Sequence, residues 1–158
     1  MRIIVISDTH RSYRALREIV EKHEKDGDLF LFAGDGEREL EDIRDEFVNK
    51  TFVAVRGNCD FASLEKASRI VVAGDTKIFM THGDLYGVKA GTARILSAAK
   101  ENGAKIAVYG HTHVAYTAFE DGVYLLNPGS AAQPRAGKPS YGIIDITAGG
   151  IVPFVVEL

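Results

Sequence analysis

Four short, continuously apolar segments constrain the fold more than any other feature of this 158-residue chain. Segments of this length, rich in Val, Ile and Phe, are typical of strands buried on both faces. The four are Ile3–Ile6, Leu29–Ala33, Phe52–Val55 and Ile106–Tyr109. Amphipathic stretches between them predict helices over Ser12–Lys25, Glu37–Val48 and Lys89–Asn102. This alternation predicts a mainly parallel sheet with helices packed against it.

Helix-capping residues and turn residues mark the ends of several predicted elements. Ser12 is the expected N-cap of the first helix, and Gly103 is the expected C-cap of the third. Three pairs of strand-like segments flank short turns and predict antiparallel hairpins. The pairs are Ile70–Val72 with Lys77–Met80, Tyr116–Phe119 with Val123–Leu126, and Tyr141–Ile146 with Ile151–Val156. Pro153 predicts an edge position for the last strand, and Gly129–Pro139 is predicted to be a loop.

Length and composition exclude several classes of protein. The length fits one domain over residues 1–158, and a hydrophobic content of 46% is too high for a disordered chain. Its single cysteine, Cys59, excludes an internal disulfide framework and is compatible with the cytoplasm, the expected location. No apolar run is long enough to span a membrane, so no membrane partner is expected. The net charge of −3 argues against a stable nucleic-acid complex.

Polar residues follow five of the predicted strands directly. These loops are Asp8-Thr9-His10, Gly34-Asp35, Gly57-Asn58-Cys59-Asp60, His82-Gly83-Asp84 and Gly110-His111-Thr112-His113. Ligands of open α/β sheets bind outside the carboxyl ends of the strands, so we expect the five loops to converge. Four of the five histidines lie in them; the fifth, His23, is predicted to have a structural or surface role on the solvent side of the first helix.

The combined side chains have the chemistry of a metal centre. Two carboxylates, four imidazoles and one amide carbonyl could hold a pair of divalent ions, and a mixed nitrogen and oxygen set suits Mn, Fe, Co, Ni or Zn better than Mg. Taken singly, each motif has a simpler interpretation. Asp-x-His, Gly-Asp and Gly-Asn are all common at turns and helix caps. Their occurrence in order at successive strand ends favours the metal centre.

The ordered motifs resemble those of the calcineurin-like metallophosphoesterases. They are Asp8-x-His10, Gly34-Asp35, Gly57-Asn58, His82-Gly83 and Gly110-His111-x-His113. Gly-Asn-Cys-Asp and the Asn127-Pro128-Gly129-Ser130 loop are similar to the compact prokaryotic phosphodiesterase branch, which is related to the scaffold subunit of the retromer coat. The resemblance implies a four-layer α/β/β/α sandwich of two mixed sheets, and we expect the late hairpins to supply the second sheet.

The resemblance also implies a ligand set and an activity. Asp8, His10 and His113 would hold one metal, Asn58, His82 and His111 would hold the other, and Asp35 would bridge them. Asp35, Asn58 and His82 are the expected catalytic residues. The expected cofactors are two divalent transition metal ions, Mn first and Ni, Fe, Co or Zn as alternatives, with a metal-bound water or hydroxide as nucleophile. The expected activity is a metal-dependent phosphodiesterase that hydrolyses small or activated phosphodiesters, and a homo-oligomer is possible.

Two departures from the family pattern bear on the activity. Cys59 stands where strongly active relatives have a histidine that assists as an acid, and we expect a small, partly buried residue there. The usual second Asp after Gly34-Asp35 is missing; Gly36 would permit a close backbone approach, and Glu37 would begin the next helix. Candidates for a phosphate-binding arginine are Arg11, Arg56, Arg135 and, less strongly, Arg38. The alternative functions are a non-catalytic interaction scaffold and a phosphomonoesterase.

Overall fold

The computed structural model describes residues 1–158 and contains two mixed five-stranded sheets with three α-helices. The strands are β1 (Arg2–Ile6), β2 (Leu29–Phe32), β3 (Phe52–Ala54), β4 (Ser68–Ala73), β5 (Thr76–Thr81), β6 (Ile106–Val108), β7 (Ala115–Glu120), β8 (Val123–Pro128), β9 (Ser140–Thr147) and β10 (Gly150–Glu157). The helices are α1 (Tyr13–Lys22), α2 (Glu37–Glu46) and α3 (Ala93–Glu101), with a 3₁₀ turn at Asp84–Tyr86. None of the helices has the length and hydropathy needed to cross a membrane.

Each sheet combines three parallel strands with two strands that pair in antiparallel fashion. The first has the order β10-β9-β1-β2-β3, and the second has the order β4-β5-β6-β8-β7. Strands β1, β2 and β3 run parallel, as do β5, β6 and β8, while the remaining neighbours are antiparallel. All three predicted hairpins are confirmed. Pro153 lies on β10, which is the outermost strand of its sheet as predicted.

The apolar core forms three layers because the strands alternate their side chains between two faces. Ile3 and Val5 face the second sheet, where they pack with residues such as Met80 and Val108. Ile4 and Ile6 face the other way, against α1 and α2. A third cluster packs α3 on the second sheet around Ile95. Continuous apolar strands are therefore buried on both sides, which confirms the four-layer sandwich.

The composition of the second sheet differs from the prediction. The β9–β10 hairpin extends the first sheet beside β1, so only one of the two late hairpins joins the second sheet. Its other strands are β6 and the β4–β5 hairpin. Local patterns alone cannot distinguish these arrangements, because an apolar strand buries its side chains equally well in either sheet.

All three helices are shorter than predicted: α2 ends at Glu46 rather than Val48, and the other two differ for local reasons. Ser12 does cap α1, but the helix ends at Lys22 because His23 turns inward. The third helix begins at Ala93 rather than Lys89, since Gly91 before it has φ +143°, outside the helical range. Asn102 is its C-cap, and Gly103 follows in the left-handed conformation.

His23 is buried rather than on the solvent side. Its Nε2 lies 2.9 Å from the Tyr141 hydroxyl, and its Nδ1 lies 3.0 Å from Asp26. Only 6% of the residue is exposed. Its structural role is therefore to join the end of α1 to β9.

Candidate metal centre

The structure brings the predicted ligands to one place at the carboxyl ends of the central strands. Asp8, His10 and His113 offer donor atoms that all lie within 4.8 Å of one another. The donor atoms of Asp8, Asp35 and His82 also lie within 4.8 Å of one another. Asp8 belongs to both groups, so the two overlap in a single cluster. Loops from both sheets contribute to this cluster, as the strand-end argument predicts.

The carboxylate of Asp8 has one oxygen that accepts hydrogen bonds and one that has no hydrogen-bond partner. Oδ2 accepts a hydrogen bond of 2.6 Å from the Ser7 hydroxyl and one of 3.0 Å from the His111 backbone N–H. Oδ1 is completely buried and accepts no hydrogen bond. A buried carboxylate oxygen without a partner is costly. A cation next to Oδ1 would remove that cost.

Two candidate ligand histidines are held by the ring nitrogen that faces away from the cluster. His82 Nδ1 lies 2.7 Å from the carbonyl oxygen of Ala33, and His113 Nδ1 lies 2.7 Å from that of Gln133. A carbonyl oxygen only accepts, so each Nδ1 donates its proton outwards. In a neutral imidazole the lone pair then belongs to Nε2, which points into the cluster. This is the tautomer that a metal requires.

The spacing of the inward donors fits a shared ion. His10 Nε2 lies 3.0 Å from His113 Nε2, and His113 Nε2 lies 3.1 Å from Asp8 Oδ1. Two donors of one transition metal ion lie about 3 Å apart, because each is about 2.1 Å from the ion. The first group therefore fits a metal in both chemistry and spacing.

Asp35 lies between the first group and His82. Its Oδ2 is 3.8 Å from His10 Nε2 and 3.4 Å from His82 Nε2, while its Oδ1 accepts a hydrogen bond of 2.7 Å from the Cys59 backbone N–H. Burial alone would raise the pKa of Asp35, but the hydrogen bond and charge of His82 and the Cys59 N–H lower it well below its usual range. The carboxylate is therefore ionised and faces both groups.

The histidines divide into two electrostatic environments. Burial lowers the pKa of His82, but the neighbouring carboxylate of Asp35 and the charges of Asp8 and Asp35 raise it by a larger amount. The net shift of the pKa is therefore upward. The pKa of His113 is raised mainly by the adjacent carboxylate of Asp8, whose Oδ1 lies 3.1 Å from its Nε2. In contrast, burial and the nearby charges of His82 and Lys89 lower the pKa of His111. Without a metal, the cluster thus attracts protons to the two nitrogens nearest the carboxylates.

Asn58 and His111 adjoin the cluster on the His82 side. Asn58 Oδ1 is 3.2 Å from His82 Nε2, which is again the spacing of two donors to one ion. The ring of His111 contacts the ring of His82 edge-on, with centroids 5.1 Å apart. His111 belongs to neither group of donor atoms within 4.8 Å. Its ring would have to turn to coordinate together with them.

Five of the seven candidate ligands have left-handed backbone conformations. They are Asp8, His10, Asp35, His111 and His113, with φ between 43° and 66°. Asp and His adopt this left-handed conformation more readily than most residues, but at each position it still costs conformational free energy. Strain of this kind concentrates at functional sites, where the surrounding structure holds it in place.

Two glycines allow the loops to approach this closely. A Cβ at Gly57 would lie 2.0 Å from Asp35 Oδ1, and one at Gly110 would lie 2.0 Å from Ser7 Oγ. Gly36 also requires the absence of a side chain, since a Cβ there would lie 1.9 Å from Thr9 Oγ1. Gly36 thus permits a close approach, but to Thr9 rather than to the candidate metal ligands as predicted.

Asp60, which was not among the predicted site residues, holds the Asp35 loop. The carboxylate of Asp60 accepts hydrogen bonds from the backbone N–H groups of Asp35 and Gly57, both at 2.8 Å, and from those of Gly36 and Glu37 at 2.9 and 3.0 Å. One carboxylate thus joins two ligand loops. The only signal for it was its place at the end of Gly-Asn-Cys-Asp.

Three further polar residues hold two more of the five loops, those of Asp8 and His111. Glu39 Oε1 accepts hydrogen bonds from the Thr9 hydroxyl and the Arg11 backbone N–H. Asn127 donates to the carbonyl oxygen of Gly110, and Ser130 donates to that of Asp8. The Asn-Pro-Gly-Ser motif therefore supports the ligand loops from below, and all three residues are buried.

Cys59 is exposed, so the expectation of a partly buried residue was wrong. Desolvation and its proximity to Asp35 raise the pKa of its thiol to about 11. Of the candidate arginines, Arg11 and Arg38 line a cavity that also contains His10 and Asp35, whereas Arg56 lines a neighbouring one. Arg135 donates its backbone N–H to the carbonyl oxygen of His113.

Comparison with known proteins gives a consistent result. The family profile of the calcineurin-like phosphoesterase superfamily domain matches residues 1–149. Over 92% of the chain, the sequence is 35% identical to a probable metallophosphoesterase, YsnB of Bacillus subtilis, and 29% identical to the phosphodiesterase YfcE of Escherichia coli; 85% and 88% of those proteins are covered.

Solved structures extend the comparison to the fold. A predicted phosphoesterase of Streptococcus pneumoniae has a TM-score of 0.82 at 27% identity, covering 98% of this chain and 97% of that one. Vps29 of Entamoeba histolytica in complex with zinc has a TM-score of 0.75 at 22% identity, covering 99% and 98%. The retromer-related fold is thus confirmed at the level of architecture. By its sequence match, its two-sheet fold and its clustered Asp and His side chains, this chain belongs to the calcineurin-like phosphoesterase superfamily.

Proposed function

We propose that this protein is a metal-dependent phosphodiesterase with a dinuclear metal centre. The observation that carries the proposal is the buried Asp8 Oδ1, which has no hydrogen-bond partner and lies among the inward-facing nitrogens of His10 and His113. A divalent cation suits such a position, because it compensates the cost of the buried oxygen and binds the neighbouring nitrogens as well. Membership of a metallophosphoesterase family supports the choice of a divalent ion.

The residues divide naturally between two ions. Asp8, His10 and His113 would hold one, and His82, Asn58 and His111 would hold the other. Asp35 would bridge them, because its Oδ2 faces His10 on one side and His82 on the other. Manganese is the first candidate for both sites, with Ni, Fe, Co or Zn as alternatives, because the donor set mixes nitrogen and oxygen.

A pair of divalent ions supplies a water molecule of lowered pKa and positive charge for the phosphate oxygens. The chain's own residues supply the rest. Asp8 and Asp35 provide the negative charge that retains the ions. Asn58 is exposed at the mouth of the cluster; its amide nitrogen donates to Cys59 Sγ at 3.3 Å and keeps a second N–H for a hydrogen bond to the substrate. Arg11 and Arg38 lie in the adjoining cavity, make no ion pair and can attract the anionic ester.

The state of Cys59 favours diesters with good leaving groups over monoesters. With a pKa of about 11, its thiol is a poor acid for a departing oxygen. The leaving group must then depart with little help, which suits aryl or otherwise activated diesters. The name of the relative YfcE, a phosphodiesterase, supports the same choice.

The alternative from a different class is an interaction scaffold that keeps the fold without turnover. The structural similarity to Vps29 favours it, and that protein was solved with zinc, so metal binding cannot separate the two functions. Turnover can. The expected complete ligand set, in which no position is lost, favours the enzyme.

The decisive experiment is hydrolysis by metal-free protein reconstituted separately with Mn, Ni, Co, Zn and Mg. We expect two ions per chain by elemental analysis and faster turnover of bis(4-nitrophenyl) phosphate than of 4-nitrophenyl phosphate. Binding of two ions without turnover of any ester would favour the scaffold. A faster monoester reaction would favour the phosphomonoesterase.

A further inference from the structure

The cavity beside the metal cluster has an apolar end that the catalytic residues do not use. It has a volume of about 750 Å³ and runs from His10 and Asp35 to the loop that carries Phe61 and Leu64. These two side chains are 89% and 98% exposed, more than any other large apolar side chain of the protein. Exposing them costs free energy that a soluble surface normally avoids. A ligand would recover that free energy by covering them.

We infer that this end of the cavity, with Phe61 as its main contact, binds an aromatic substituent of the phosphodiester substrate. This inference rests on the proposed function, because it assigns the group attached to the phosphate. A flat ring, such as an aryl group or a nucleobase, can stack on the exposed face of a phenylalanine. Leu64 adds apolar contact at the outer end.

The position of Phe61 is fixed relative to the metal ligands. It directly follows Asp60, whose carboxylate binds the loops of Asp35 and Gly57. The next residue, Ala62, has φ +63°, and the Ser63 backbone N–H donates to the carbonyl oxygen of Asp60. The backbone of this loop is therefore tied to the metal cluster, which keeps Phe61 beside the cavity.

The charges in the cavity favour a neutral ring over a second phosphate. Arg11 and Arg38 line it, but so do Glu37 and Glu41 on the side of α2. The acidic side chains offset the arginines away from the ions, so a second anionic group would gain little. The substrate class is thus a phosphodiester with one anionic phosphate and at least one uncharged aromatic substituent.

A binding experiment can test this inference without turnover. The chain contains no tryptophan, so Phe61→Trp introduces the sole indole at the proposed contact. The zinc-loaded variant is titrated with diphenyl phosphate and with diethyl phosphate, which carry the same charge. We expect a saturable fluorescence change with diphenyl phosphate and about tenfold weaker binding of diethyl phosphate. Equal affinities, or no response to either ester, would overturn the inference.

The matched control is Phe119→Trp. Phe119 is also exposed, at 61%, but it lies on β7, does not line the cavity and packs against Tyr124. We expect no fluorescence change there with either ester. A response equal to that at position 61 would mean nonspecific binding and would overturn the inference.

Kinetics provide the second readout. Phe61→Ala should raise KM for bis(4-nitrophenyl) phosphate about tenfold with a smaller change in kcat, whereas Phe119→Ala should leave both unchanged. An unchanged KM in Phe61→Ala would refute the role of the ring. If no metal-loaded form hydrolyses the diester while the indole still distinguishes the two esters, the hydrolytic function fails and the aromatic site stands.

Discussion

Asp60→Asn is the most informative substitution for the architecture of the centre. Asp60 Oδ2 accepts from Asp35 and Gly57, and Oδ1 accepts from Gly36 and Glu37. Replacing one oxygen with an NH₂ group leaves two backbone N–H groups facing a donor, whichever way the amide is turned. Volume hardly changes, so the effect is confined to charge and hydrogen bonding.

The expected magnitude follows from those two lost acceptors. An unsatisfied backbone donor costs about 1–3 kcal/mol when buried, and Asp60 is only half-buried, so the lower value applies to each. The free energy of unfolding should fall by about 2 kcal/mol, which lowers Tm by about 4–8 °C in a chain of this size. Metal affinity should fall by about 10–100-fold, since the Asp35 and Gly57 loops lose their shared support.

Thermal unfolding of metal-free protein and zinc titration against a competing chelator measure the two effects separately. Asp42→Asn is the matched control, because Asp42 is exposed on α2 and makes no hydrogen bond or ion pair. It removes the same charge and should change neither quantity. An Asp60→Asn protein with parental Tm and parental metal affinity would refute the positioning role.

Three further outcomes follow from the cluster. Asp35→Asn should reduce both metal stoichiometry and turnover, because a neutral bridge leaves two cations less screened; retention of two ions with parental affinity by elemental analysis and titration would contradict the bridge. When a chelator keeps the protein metal-free, the raised pKa of His82 stabilises it below about pH 6.5, and this contribution is lost as the pH rises. The lowered pKa of Asp35 stabilises it above about pH 4, and that contribution is lost as the pH falls. Denaturant unfolding of the metal-free protein should therefore show the greatest stability between about pH 4 and pH 6.5. The metal-loaded protein should gain stability above about pH 6.5, where the ion no longer competes with protons for the histidines. The same stability profile with and without chelator would contradict this prediction. Cys59→Ala and Cys59→Ser should change kcat less than about threefold, whereas turnover should fall steeply with leaving-group pKa across a series of diesters; a collapse in Cys59→Ala with metals retained would identify the thiol as the proton donor.

The sequence indicated the central strands and the ligands for the same physical reason. An apolar strand buried on both faces must expose its first polar residues beyond its end, and parallel strands end at one edge. Asp8 after Ile3–Ile6 and His82 after Lys77–Met80 both follow this rule, although they belong to different sheets. The strand-end rule predicted convergence at the edge of one sheet; that the edges of two sheets meet needed the family resemblance, because no local pattern specifies how two sheets pack.

What could not be predicted depends on contacts between residues distant in the chain. His23 occupies a helix position that points outward by periodicity, yet Tyr141, 118 residues later, offers its hydroxyl as a partner. Asp60 has the appearance of a turn residue, and its four hydrogen bonds exist only because β2 and β3 are neighbours. In both cases the deciding partner lies in another element. That residues 1–158 form one domain, that the protein acts in the cytoplasm and that it forms a homo-oligomer stay predictions.

Other residues of the protein stabilise the strained backbone and the ring orientations of the candidate ligands, so this geometry does not depend on bound metal. The left-handed backbones of Asp8 and Asp35 are each held by hydrogen bonds to side chains that are not ligands, Ser130 for the first and Asp60 for the second. The outward hydrogen bonds of His82 and His113 fix the ring orientation in the same way. The remaining unfavourable feature is the close approach of donors that have no cation between them. Because the loops are already in place, metal binding relieves that repulsion without paying for loop ordering, and affinity depends on the supporting residues as much as on the ligands.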